Sequence, residues 1–194
     1  MVTVTPIDAP CGATITGVDL TQPLSSGDVE AIRKAWLKHL VLVFPDQPMS
    51  DDDLERFTLC FGEFGHDPFF DPIDGRTNIA AIQRNADETT PLFAENWHTD
   101  WSFQETPPIG TCLLGLTIPP QGGDTFFANQ QLAYEQMPAP LKAEADSAIA
   151  IHSAETAYAP DGMYGQGKDE EQGRSMRIRS SDEARLKTRH PMVR

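Results

Sequence analysis

The most informative segment of the chain is residues 96–108, which read NWHTDWSFQETPP. The segment places His98 two residues before Asp100, between aromatic side chains. Residues two apart on a β-strand point to the same face, so an imidazole nitrogen and a carboxylate oxygen could meet one metal ion. With one distant histidine they would form a facial triad with three open positions, which suits Fe(II). A surface histidine beside a turn aspartate is the alternative for this tripeptide alone.

Around this segment, short apolar runs are divided by Gly, Pro and polar turns. The runs that we expect to be strands are residues 78–82, 97–103, 110–118, 125–128 and 148–152. Such a pattern of short strands and turns favours a β-sandwich or jelly roll over a wound parallel sheet. A helical stretch, residues 130–147, interrupts the runs and is itself broken at Pro138 and Pro140.

The first part of the chain predicts strands followed by two helices. Residues 2–20 alternate apolar and polar side chains around a glycine turn. Ser25 and Asp28 resemble a capping box before an amphipathic helix. A buried strand at residues 40–44 follows, and Ser50 should cap a second helix. The predicted fold class is therefore mainly β with flanking helices (α+β), in one domain over residues 1–194.

Residues 155–187 differ from the rest of the chain. They contain four glycines, dense mixed charge and few large apolar side chains. We expect this segment to add little to the core and to form a long mobile loop or lid. Disorder without a function is the alternative.

Bulk properties restrict the possible partners. Acidic residues outnumber basic ones by 29 to 15, a net charge of −14, which repels nucleic-acid phosphates. No apolar run approaches the roughly 20 residues of a membrane span, and no basic, apolar leader precedes the fold. We therefore expect a cytoplasmic protein with no nucleic-acid or membrane partner. The three cysteines fit reduced thiols better than disulfides or a zinc site.

A second motif, Gly122-Gly123-Asp124-Thr125, follows Pro119-Pro120 and alone would be a hairpin turn. In order with NWHTDWSFQETPP, it resembles the taurine dioxygenase (TauD/TfdA) family. Further matches are GATITGVDLTQPL near the start, the R-F-x-x-x-F-G-E pattern at residues 56–63, and HPMVR at the end. The resemblance extends from about residue 5 to residue 194 and is weaker at residues 155–187.

The resemblance implies a double-stranded β-helix (jelly roll) with flanking helices. It implies Fe(II), with 2-oxoglutarate and O2 as cosubstrates, and hydroxylation of a substrate with release of succinate and CO2. His98 and Asp100 match the family's first two iron ligands, and Thr125 matches the threonine that helps to bind 2-oxoglutarate.

The resemblance also implies where the third iron ligand should be. His152 matches a position on an internal strand, and His190 matches a segment that leads into later strands. We therefore expect the distal histidine, the arginine that pairs with 2-oxoglutarate and the last strands of the jelly roll beyond residue 194. On this reading the chain is a fragment that by itself binds iron poorly.

Four positions bear on the substrate. Asp67, Phe70 and Ala94 stand where taurine-specific members carry His, Tyr and Asn. Phe70 and Ala94, together with Trp101, predict a more apolar pocket. We expect a small anion with an apolar tail, such as a sulfonate, sulfate ester or aryloxy acid, bound by a homo-oligomer.

Two other classes of function stay open. One is a non-catalytic jelly-roll module that has lost its metal site. The other is a hydrolase with zinc at His98 and Asp100, although zinc hydrolases usually have further His or Glu ligands nearby.

Overall fold

The computed structural model describes residues 1–90, 92–165 and 173–194. They group into two compact units. The first unit comprises Met1–Glu63 and Cys112–Lys142, and the second comprises Phe64–Thr111 and Ala143–Arg194. Whether the whole chain acts as one domain stays a prediction.

A small sheet opens the first unit. Strand β1 (Thr3–Pro6) pairs antiparallel with β2 (Ala13–Thr16), and β2 pairs in parallel with β3 (Leu42–Val43). Gly12, in the turn between β1 and β2, has a φ of 114°, and a Cβ there would lie 3.1 Å from Ile7 Cδ1. This conformation favours glycine. The predicted strands around a glycine turn are therefore confirmed.

Two capped helices pack on this sheet. Helix α1 (Ser26–His39) begins at Ser25, whose side chain accepts from the Asp28 N–H. Helix α2 (Asp51–Leu59) has a full capping box formed by Ser50 and Asp53. The apolar faces of the helices meet the sheet in one buried cluster of Ile15, Leu20, Ile32, Ala35 and Phe57. Both predicted caps are confirmed.

The first unit also contains the interrupted helical stretch. Helix α3 (Gln130–Glu135) begins at Asn129, whose side chain accepts from the Leu132 N–H. Helix α4 (Ala139–Ser147) starts directly after Pro138 and extends past the boundary of the unit. The predicted break is confirmed at Pro138, because proline has no N–H for the preceding helix. The predicted break at Pro140 is wrong, since this residue lies in the first turn of α4, where no N–H is needed within the helix.

The second unit is built around a two-stranded sheet and an aromatic core. Strand β4 (Ile149–His152) pairs antiparallel with β5 (Thr188–Pro191). Between them lie helix α5 (Glu155–Tyr158) and a 3₁₀ helix (Asp182–Arg185). The core cluster consists of Phe69, Phe70, Ala154, Ala159, Met176 and Ala184.

Several predicted strands are absent from the described residues. Residues 148–152 do contain β4, but residues 97–103, 110–118 and 125–128 form no strand. Residues 78–82 contribute one isolated bridge, from Ala80 to Pro72. The prediction is wrong at these segments. A sequence pattern shows which side chains could be buried, but a strand also needs a neighbouring strand to accept and donate its backbone hydrogen bonds. Sheets with flanking helices are observed as expected, and the jelly roll stays a prediction.

The expectation that residues 155–187 add little to the core is wrong for the part that the structure describes. Ala159 is 0 % exposed, Tyr164 7 %, Met176 3 % and Ala184 0 %. The middle of the predicted lid, residues 166–172, lies outside the described residues, and the lid itself stays a prediction. Among the helices that are described, none is long and apolar enough to cross a membrane.

Candidate metal centre

Asp100 begins a turn and His98 lies in the irregular stretch just before it, where a strand was expected. Trp101 has a left-handed φ of 47°, and the Gln104 N–H donates to the Trp101 carbonyl at 3.0 Å. The argument that both side chains share one face of a strand therefore does not apply. The turn nevertheless brings His98 Nε2 to 3.1 Å from Asp100 Oδ1, with both side chains 51 % exposed.

The hydrogen bonds of His98 show what the pair can bind. Its Nδ1 lies 2.8 Å from the Asn96 carbonyl oxygen, which can only accept, so Nδ1 carries the proton. The second ring nitrogen, Nε2, faces Asp100 Oδ1 at 3.1 Å. Either a proton on Nε2 or a shared cation can occupy the space between the two atoms. A backbone carbonyl that fixes the tautomer in this way is the usual support of a metal-binding histidine.

The spacing of the pair fits a divalent metal ion. Two ligands about 2.1 Å from one ion at a right angle lie about 3.0 Å apart, and the observed separation of Nε2 and Oδ1 is 3.1 Å. Within the part of the chain that is described, no group of three or more His, Cys, Asp or Glu side chains is arranged to hold a metal. The described residues thus offer two ligands.

The other histidines of this unit support the turn. His152 Nδ1 lies 2.9 Å from Ser102 Oγ, and His190 Nε2 lies 3.0 Å from the Gln104 carbonyl oxygen. The Gln104 side chain in turn donates to the His66 carbonyl oxygen at 2.7 Å. Strands β4 and β5 therefore hold the residues that directly follow the candidate metal ligands.

Two of the predicted substrate residues lie together in an aromatic cluster. Phe70 is 8 % exposed, and its ring centroid lies 5.7 Å from that of Trp101. Phe69, which is fully buried, stacks on Tyr158 with centroids 4.4 Å apart and planes at 3°. Phe93, Phe103 and Tyr164 extend the cluster. The surroundings of Trp101, the residue that follows Asp100, are therefore apolar.

The other two predicted substrate residues have different roles locally. Asp67 Oδ1 accepts from the backbone N–H groups of Phe69 at 2.9 Å and of Phe70 at 3.1 Å. The carboxylate thereby fixes the turn that points both phenylalanines into the core. Ala94 is exposed and has a left-handed φ of 56°, which is uncommon for a residue other than glycine.

Sequence reasoning missed Tyr158. Burial raises the pKa of the Tyr158 hydroxyl, and the charges of Tyr164, Asp67 and Asp100 raise that pKa further. The hydroxyl therefore stays protonated at neutral pH, within the electrostatic influence of a candidate metal ligand. The sequence did offer one indication of its importance, because Tyr158 is an aromatic residue in a segment otherwise poor in large apolar side chains.

Thr125 belongs to the first unit, whereas His98 and Asp100 belong to the second. Its side chain is exposed. The preceding Gly122 and Gly123 have φ values of 76° and 74°, so the backbone makes a turn there that other residues adopt with strain.

Comparisons with known proteins agree on one family. The model of the family described as "Taurine catabolism dioxygenase TauD, TfdA family" matches residues 3–194. An alkylsulfatase of Acinetobacter baylyi is 38 % identical over 148 residues, covering 76 % of this chain and 45 % of the relative. An alpha-ketoglutarate-dependent sulfate ester dioxygenase of Pseudomonas putida is 36 % identical over 155 residues, covering 79 % and 50 %.

A solved structure gives the same result. The crystal structure of a taurine dioxygenase from Burkholderia xenovorans matches with a TM-score of 0.71 and 32 % identity, over 100 % of this chain and 58 % of that chain. The chain spans about half the length of the curated relatives it matches.

Proposed function

Because this chain belongs to the TauD/TfdA family, we propose that the protein is an Fe(II)- and 2-oxoglutarate-dependent dioxygenase. The observation that carries this proposal is His98 Nε2 facing Asp100 Oδ1 at 3.1 Å, with His98 Nδ1 held by the Asn96 carbonyl oxygen. Bound Fe(II) would supply the activation of O2, with one oxygen atom entering the substrate C–H bond and the other entering succinate as 2-oxoglutarate loses CO2. The proposed fold is the jelly roll of the family.

The chain's own residues would orient the reactants and exclude water. His98 and Asp100 hold the metal, and we assign the Thr125 hydroxyl to binding of 2-oxoglutarate. No observation supports the alternative of a non-catalytic module, and the approach of His98 Nε2 to Asp100 Oδ1 is compatible with a shared metal ion. The third ligand beyond residue 194, a cytoplasmic location and a homo-oligomer stay predictions.

The aromatic cluster supports a substrate with an apolar part. Phe70 and Trp101 would contact that part, while the Tyr158 hydroxyl, whose raised pKa keeps its proton, can donate to an anionic oxygen. We propose a sulfate ester, sulfonate or aryloxy acid with an apolar tail. The names of the two curated relatives, an alkylsulfatase and a sulfate ester dioxygenase, support the sulfate ester among these.

The metal site is tested by adding Fe(II) and 2-oxoglutarate without oxygen to the protein produced from its complete gene. We expect the weak visible charge-transfer band of the 2-oxoglutarate chelate. His98→Ala should abolish the band. His39→Ala, which removes a histidine at the end of α1, should keep it. Absence of the band from the unchanged protein, or its survival in His98→Ala, would refute the assignment.

The substrate class is tested by measuring succinate release with alkyl sulfate esters of increasing chain length and with taurine. We expect kcat/KM to rise with chain length and to be lowest for taurine. Phe70→Tyr restores the residue that taurine-specific members carry and should reduce this preference. A kcat/KM for taurine at least as high as that for every ester would refute the proposal.

A further inference from the structure

A threonine outside the predicted motif contacts the candidate metal site. Thr111 lies eleven residues after Asp100, and its Oγ1 donates to Asp100 Oδ2 at 2.7 Å. The carboxylate can only accept, so the single hydroxyl proton of Thr111 points at Oδ2. The distance is that of an ordinary hydrogen bond from a hydroxyl group to an oxygen atom. Both oxygens of Asp100 are therefore directed, with Oδ1 toward His98 Nε2 and Oδ2 toward Thr111.

The loop that carries Thr111 is held by hydrogen bonds at its start and restricted by prolines in its middle. At its start, the Gln104 side chain donates to the His66 carbonyl oxygen at 2.7 Å, and His190 Nε2 contacts the Gln104 carbonyl oxygen. Pro107 and Pro108 then restrict φ in the middle of the loop. The start and the middle of the loop thus have limited backbone freedom, and Thr111 contacts Asp100 at its end.

We propose that Thr111 is a positioning residue for the metal site. It holds Asp100 so that Oδ1 alone faces the ion beside His98 Nε2. The inference rests on the proposed function, because its purpose is to keep coordination positions free. An octahedral ion with three protein ligands has three positions left, which a two-atom chelate and O2 fill together. A carboxylate bound through both oxygens would take one of those positions.

The contact also orients a carboxylate that solvent would otherwise leave free to rotate. The Asp100 side chain is 51 % exposed, so packing alone does not fix its rotation. Removing a hydrogen bond to a metal ligand typically lowers metal affinity or activity about 10–100-fold.

The test is Mn(II) binding, followed by the loss of the free Mn(II) signal in electron paramagnetic resonance, with the protein produced from its complete gene. Thr111→Val removes the hydroxyl group at nearly constant volume and should raise the Mn(II) dissociation constant about 10-fold. Thr111→Ser keeps a hydroxyl and should restore most of the affinity. Thr106→Val removes the same group five residues earlier in the loop and should bind Mn(II) as the unchanged protein does.

The outcomes separate this inference from the proposed function. If His98→Ala binds Mn(II) as tightly as the unchanged protein, the metal site itself is refuted and the role of Thr111 with it. If His98→Ala loses binding but Thr111→Val does not weaken it, the site stands and the role of Thr111 is refuted. Equal weakening in Thr111→Val and Thr111→Ser would also overturn the inference, because the hydroxyl would then have no effect.

Discussion

The stacked pair of Phe69 and Tyr158 is predicted to couple the segment after β4 to the aromatic cluster beside the metal site. The two ring centroids lie 4.4 Å apart with nearly parallel planes, at 3°, and Phe69 is fully buried. An aromatic pair of this geometry contributes about 0.5–1.5 kcal/mol beyond the burial of its area. Phe69→Leu and Tyr158→Leu each keep an apolar side chain but remove one ring.

A double-mutant cycle measures the contribution of the pair to the free energy of unfolding. The unchanged protein, the two single variants and the double variant are unfolded in urea, and the two single losses are compared with the double loss. We expect the double variant to lose about 1 kcal/mol less than the sum of the single losses. A combination of Phe69→Leu with Tyr158→Phe, which keeps the second ring, should show little of this coupling.

The control uses a phenylalanine of the other core cluster. Phe57 packs against Phe44 and Phe61 in the first unit, so Phe69→Leu and Phe57→Leu should be additive within about 0.5 kcal/mol. Additivity of Phe69→Leu and Tyr158→Leu to within about 0.3 kcal/mol would refute the stack. Residues 155–158 would then be held by contacts other than this pair.

Three further predictions concern local polar contacts. Ser50→Ala removes the cap of α2 and should lower the free energy of unfolding in urea by about 1 kcal/mol. The pKa of Asp53, which the Ser50 hydroxyl chiefly holds at about 2, should then rise in an NMR titration. An unchanged pKa would contradict the capping box. Hydrogen bonds from the side chains of Ser175 and Thr90 hold the pKa of Glu88 at about 2, below its ordinary 4.5, so this carboxylate stabilises the fold above pH 4.5 and loses the effect as pH falls toward 2. Urea unfolding at several pH values should show that loss in the unchanged protein and a flatter profile in Glu88→Gln; parallel profiles would contradict it. Arg185→Met breaks three ion pairs at 2.8–3.1 Å around a side chain 40 % exposed. It should lower the free energy of unfolding only slightly, because solvent and salt screen exposed charges; a large loss that high salt leaves unchanged would contradict a surface network.

The features predicted correctly from sequence depend on neighbours a few residues away. Ser25 and Ser50 cap their helices because each side chain reaches an N–H three residues later. Pro138 separates α3 from α4 because proline cannot donate to the preceding turn. His98 and Asp100 do lie together, but on a turn instead of the expected strand, and their role as metal ligands stays a prediction.

The features that only the tertiary structure decided depend on residues far apart in the chain. The left-handed Trp101 turned an expected strand into a turn, and its surroundings come from Phe69 and Tyr158, which lie 32 residues earlier and 57 residues later. Met176, in a segment expected to add little to the core, is buried among them. Periodicity reports which side chains a segment could bury. Strand pairing and core membership depend on which segments lie side by side in the folded chain, because the neighbouring segment supplies the hydrogen-bond partners and the apolar contacts. The hydrogen bond from Thr111 to Asp100 likewise depends on the path of the loop between them.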